Sequence, residues 1–131
     1  MLSNQELFDK VVRHLVAQGA PSHGETEGCM YLNQDGLKCA AGCLISEDIA
    51  RILDKEKESA WARVTIKFRT LKDVGSVSFI GSLQMAHDSQ EAEWRSVWYS
   101  KMKRIAAREV PALTTSVLDE LATPAWLAYY V

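Results

Sequence analysis

The sequence predicts a single α+β domain over residues 1–131, with four to five helices around a small antiparallel hairpin or three-stranded sheet. Three observations predict it. Apolar residues recur at helical spacing behind capping signatures at Ser3 and Asp88. Asp35-Gly36 is a turn signal between two short apolar runs in the segment 29–45. Residues 61–70 alternate, with Val64, Ile66 and Phe68 against Arg63, Thr65, Lys67 and Arg69, which is strand period.

Each element has a local reason. Ser3 and Glu6 form a capping box, in which the serine oxygen accepts an amide proton and the glutamate reaches back. Leu7, Phe8, Val11, Val12, Leu15 and Val16 then repeat at helical spacing, so one face is buried. Gly19 stops this helix, and Pro21 lies beyond it. Residues 20–28 are polar and rich in turn formers, and read as a loop.

In the hairpin, a three-residue loop over 34–36 with Gly36 left-handed is preferred. It sets Tyr31 opposite Cys39 and puts Cys29, Tyr31, Cys39 and Ala41 on one face. A two-residue loop would turn Cys29 away, because a one-residue slip reverses every side chain. Ser46 caps a helix holding Ile49, Ile52 and Leu53, with Glu47 and Asp48 at its positive start and a charged, solvated end over 54–59.

Residues 78–87 read as a short helix with Phe79, Ile80, Leu83 and Ala86 on one side. Asp88 and Glu91 cap the next helix, which runs to about Arg108 with Trp94, Trp98, Met102 and Ile105 as its stripe. Its acidic start and basic end complement the helix dipole. Residues 115–122 form a last helix, stopped by Pro124, and an apolar tail follows.

Composition narrows the function classes. A length of 131 residues, 47% of them hydrophobic, can bury a core without metal or disulfides. A net charge of −2 provides no global positive field, which counts against nucleic acid as the main partner. No run approaches the roughly 18 apolar residues of a membrane span. The opening residues lack a basic-then-apolar segment, and the cysteines number three, an odd count. The expectation is a cytoplasmic chain with reduced thiols.

Few side chains can carry chemistry. Cys29, Cys39 and Cys43 with His23 or His87 can supply four zinc ligands, but only Cys39 and Cys43 have the close spacing of structural sites. Buried structural thiols are the favoured alternative, so no metal and no cofactor is expected. Cys39 follows Lys38, whose charge would lower its pKa, and His87 offers a base, so Cys39 and His87 are the candidate pair for a cysteine hydrolase or transferase. Asp88 is expected to cap the next helix rather than orient His87.

His14 reads as a boundary residue, His23 as a solvated one, and Trp94 with Trp98 as core. Lys101, Lys103, Arg104 and Arg108 read as a solvated helix end before a phosphate-contacting patch. No Gly-rich phosphate loop is present. Trp126, Tyr129 and Tyr130 make the tail a candidate partner-binding surface, since aromatic residues are enriched at interfaces.

The order Cys29-x-Tyr31, Gly36-x-Lys38-Cys39-Ala40-x-Gly42-x-Leu44-Ile45, Leu83-Gln84-x-x-His87-Asp88 and Trp94 resembles a group of small bacteriophage and prophage proteins of uncharacterised function. The likeness spans roughly residues 5–106 and departs from the group between Ser46 and Val77. It implies a phage origin and no particular reaction. By analogy, it implies binding to a host protein or protein complex, inhibition of a bacterial defence system being one such role. A homodimer and a zinc-stabilised binding module are further expectations.

Overall fold

The computed structural model describes residues 1–24, 28–58, 60–89 and 92–129. Its elements are α1 (Asn4–Gln18), α2 (Glu47–Lys55), α3 (Trp61–Lys67), α4 (Val77–His87), α5 (Trp94–Arg108), α6 (Ser116–Leu121) and α7 (Pro124–Leu127). Short 3-10 turns occupy Gly42–Leu44 and Arg69–Asp73. The class is all-α, which corrects the expected α+β fold. Among the described residues there is no β-strand, only isolated antiparallel bridges from His23 to Cys29 and from Leu32 to Lys38.

The first helix forms as its local signals require. Ser3 Oγ accepts from the Glu6 amide at 3.1 Å, and the Ser3 amide donates to Glu6 Oε1 at 3.0 Å. Leu7, Phe8, Val11, Val12 and Leu15 are buried, and Gly19 closes the helix in the left-handed region at φ 74°. This face meets α4 and α6. Trp94, Trp98 and Met102 of α5 and Leu118 of α6 complete the core, each fully or almost fully buried. Burying such a side chain contributes roughly 1.5–3 kcal/mol.

The expected hairpin does not extend into a ladder, and helix side chains take backbone groups on both arms: the Tyr31 and Ala41 amides, which a ladder would pair across the hairpin, and groups of Leu32 and Lys38, which face away from it. Asp54 of α2 accepts from the amides of Tyr31 and Leu32 at 2.8 and 3.0 Å. Gln18 of α1 accepts from the Lys38 amide at 2.8 Å and donates to the Lys38 carbonyl at 2.9 Å. Gln84 of α4 accepts from the Ala41 amide at 2.8 Å. Buried backbone groups need partners, and here helices supply them.

The turn itself survives. Asn33 Oδ1 accepts from the amides of Asp35 and Leu37, both at 2.9 Å, and Gly36 has φ 82°. The Leu32–Lys38 bridge and the 2.9 Å bond from the Asn33 amide to the Leu37 carbonyl have the register of the three-residue loop. The segment then folds back on itself tightly. A Cβ at Gly42 would lie 2.1 Å from the Tyr31 carbonyl oxygen.

Residues 61–70 are also helical rather than extended. Trp61, Val64 and Thr65 are the buried positions, at helical offsets, whereas Ile66 is 74% exposed. Phe68 and Leu71 continue that stripe inward, and α3 packs on α4. The stripe at 61, 64, 68 and 71 therefore decides the conformation over the period-two alternation. Pro124 opens α7 instead of simply ending α6, which suits proline at a first helical position. Glu91 and Ser59 lie outside the described residues. Among the described residues, no helix is long and apolar enough to cross a membrane.

Candidate functional site

The end of α4 carries a polar knot. His87 is fully buried, and its Nε2 accepts a hydrogen bond from the Ser22 amide at 2.9 Å. A backbone N–H only donates, so Nε2 holds the lone pair and Nδ1 holds the proton. Nδ1 donates that proton to Asp88 Oδ1 at 2.8 Å. Gln84 Nε2 donates to the same oxygen at 2.9 Å, and Trp94 Nε1 donates to the His87 carbonyl at 2.8 Å. Asp88 thus orients His87, contrary to the expectation that it caps the next helix.

Cys29 joins this knot. Its sulfur, a His87 nitrogen and an Asp88 oxygen all lie within 4.8 Å of one another. Cysteine, histidine and aspartate are the members of a thiol triad, which needs the thiol on a free imidazole lone pair. Here that lone pair is committed to Ser22. Burial pushes the Cys29 thiol up to about 12, and the charge and hydrogen bond of Asp88 push in the same direction. The thiol stays protonated near neutrality and acts as a donor to Asp88.

The same commitments decide the fit to zinc. Zinc takes thiolate sulfur and a lone-pair imidazole nitrogen. Cys29 is held as a thiol, one His87 nitrogen is engaged by Ser22 and the other is protonated toward Asp88. This group does not fit a metal unless those bonds are remade. Nor do the cysteines gather as a ligand set among the described residues: the group that comes together is Cys29, His87 and Asp88.

The other sequence candidates are not members of that three-residue group, although the His23 ring meets the His87 ring edge-on at 6.4 Å. Cys39 is fully buried, and its sulfur accepts from the Gly42 amide at 3.2 Å. Burial drives its thiol far above the ordinary range. Lys38 does not activate it: its Nζ lies 3.6 Å from Glu47. Cys43 donates to the Ala40 carbonyl at 3.1 Å, and burial pushes it up to about 11. His14 is half-buried with Nε2 3.0 Å from Gln18 Oε1, and burial lowers its pKa. His23 is not simply solvated: its Nε2 is buried without a hydrogen-bond partner among the described residues, and burial lowers its pKa.

The aromatic tail docks on its own domain at Trp126. Its ring meets Trp98 edge-on at 5.9 Å, and its Nε1 donates to the Val16 carbonyl at 3.1 Å. The Arg95 guanidinium lies 4.7 Å from the Trp126 ring and 5.3 Å from that of Tyr129, which remains 71% exposed. Tyr130 lies outside the described residues. Sequence reasoning missed Gln18, Asp54 and Gln84 as organising residues. Only Gln84 carried a signal, a polar side chain directly beside the apolar stripe position Leu83.

A second place is open rather than locked. A depression of about 250 Å³ lies between α4 and α5, lined by Met85, Ala86, Ile105, Lys101, Arg104 and Arg108. An adjoining one of about 240 Å³ shares Ser82, Ile105 and Arg108 with it. Compared with known proteins, the chain matches no family model, and no curated protein or solved structure is significantly similar to it.

Proposed function

We propose that this chain is a protein-binding accessory protein that works through its outer surface rather than by catalysis. One observation supports the reading: the thiol, imidazole and carboxyl groups that resemble reaction machinery are committed to internal bonds. Cys29 is a protonated thiol on Asp88, His87 holds the Ser22 amide, and Cys39 sits in the core. Such groups fasten loops to helices and have no free lone pair or thiolate to offer a substrate.

The phage resemblance supplies the class of partner by analogy: a host protein or complex in the bacterial cytoplasm, a defence complex being one instance. A second copy of the chain is the competing partner. Affinity capture from lysates of several bacteria tests this. The expected result is a stoichiometric partner, retained by Cys29→Ser, whose hydroxyl keeps a donor toward Asp88. Failure to recover a partner from any host, or loss of the partner by a folded Cys29→Ser variant, overturns it.

A further inference from the structure

We infer that the groove between α4 and α5 is the docking surface, and that its occupant is an acidic amphipathic helix of a partner protein. The inference rests on the protein-binding reading above. Lys101, Arg104 and Arg108 stand at offsets of three and four on one face of α5, so they rise along about 10 Å of the groove. None of the three takes part in an ion pair among the described residues. Lys103, on another face, is satisfied by Asp119 at 2.9 Å. The acidic neighbour on the groove side is Glu109, which accepts from Asn4 at 2.6 Å.

The floor decides between occupants. Met85 is 75% exposed on α4, beside Ala86 and Ile105. Ser78, Ser82 and Met85 share one exposed face of α4, and a Cβ at Gly81 would meet nothing within 4 Å. A partner backbone can therefore approach closely. A phosphate strand would satisfy the cations but leave Met85 and Ile105 without apolar contact, and the aromatic ring at the adjoining depression, Phe79, is almost fully buried and offers no face to stack a base. A helix with carboxylates on one edge and apolar residues below satisfies both parts, the helix-in-groove mode. Methionine suits such a surface because its flexible side chain adapts to what it meets.

The experiment uses the full chain labelled at its methionine methyls. The probe is a roughly 14-residue peptide of leucine and glutamate at heptad spacing, about four helical turns. The expected result is a saturable shift of the Met85 methyl, with Met30 unmoved, reversed by high salt. Arg104→Glu with Arg108→Glu, both exposed, should weaken binding roughly tenfold or more while leaving the thermal melt unchanged.

An all-glutamate peptide of equal charge should bind more weakly, and single-stranded or duplex DNA should leave Met85 in place. No Met85 response to the leucine–glutamate peptide, equal affinity in the double variant, or an equal response to DNA overturns the groove assignment. A lysate partner captured equally by wild type and the double variant also overturns it, yet leaves the protein-binding reading standing. Absence of any partner overturns that reading, while the peptide result still decides the groove.

Discussion

Gln84→Ala removes the side chain that joins the irregular segment to α4. Gln84 is almost fully buried and accepts from the buried Ala41 amide at 2.8 Å. Alanine leaves that N–H without its partner, which costs about 1–3 kcal/mol. Loss of a buried methylene adds about 0.8 kcal/mol, so the expected cost is about 2–4 kcal/mol. Unfolding entropy near 2.1 cal/mol/K per residue converts this, for 131 residues, into a Tm lowered by roughly 7–15 °C.

Gln84→Glu sharpens the test. It keeps an acceptor for Ala41 but replaces the donor that faces Asp88 Oδ1 at 2.9 Å. Two carboxyl groups would then face each other, which raises the folded pKa of the new glutamate. Its stabilising contribution is present below the unfolded value near pH 4.3 and is lost as pH rises through the raised folded value. Urea unfolding followed by fluorescence reports both variants, since Trp94 and Trp98 are buried. A cost under about 0.5 kcal/mol for Gln84→Ala, or a Gln84→Glu variant that tracks wild type between about pH 4 and 8, refutes the reasoning.

Two glycines should respond in opposite directions in the same urea assay. Gly42→Ala drives a Cβ to 2.1 Å from the Tyr31 carbonyl oxygen, and backbone cannot swing aside, so it costs roughly 3 kcal/mol or more. Gly81→Ala sits inside α4 with nothing within 4 Å, so it stabilises by about 0.5–1 kcal/mol. Iodoacetamide at about pH 8 should alkylate Cys29 more slowly in the native chain than in urea, and Asp88→Asn should quicken the native rate; mass spectrometry resolves the site. Alkaline unfolding gives a signed test as well. Cys29 and Cys43 are raised to about 12 and about 11, so above about pH 9 the unfolded chain has lost protons that the native chain keeps. Their contribution is therefore intact below about pH 9 and falls as pH climbs; denaturant midpoints measured from about pH 8 to 11 should decline.

The helices whose amphipathic stripes and caps coincide were readable from sequence. Ser3 with Glu6, the run from Leu7 to Leu15 and Gly19 specify α1 locally, and the four-residue recurrence of Trp94, Trp98 and Met102 specifies α5. Residues 61–70 satisfied two periods at once, and only the position of α4 selects between them. The hairpin was misread because its replacement is non-local. Gln18, Asp54 and Gln84 come from three helices to claim amides at 38, 31, 32 and 41, and no window around Asp35-Gly36 contains that information. At the knot, the sequence reading paired Cys39 with His87, whereas the sulfur grouped with His87 and Asp88 is that of Cys29. Which sulfur meets His87 depended on the path of residues 20–29, which carries no periodicity.

That path also explains why a chemically suggestive pattern need not be chemical. An irregular segment packed against helices exposes its amides and carbonyls to a dry interior, where each requires a partner. The side chains able to reach them are the polar ones that also populate active sites. His87 answers the Ser22 amide, Asp88 answers His87 and the Cys29 thiol, and Gln84 answers Ala41. Gly42 lets the segment close on Tyr31, and Trp94 secures the helix end through the His87 carbonyl. Backbone satisfaction accounts for the contacts of His87 with Ser22 and of Gln84 with Ala41, and Asp88 in turn holds His87. Here the pattern specifies how the chain folds, and none of these residues lines the depression between α4 and α5.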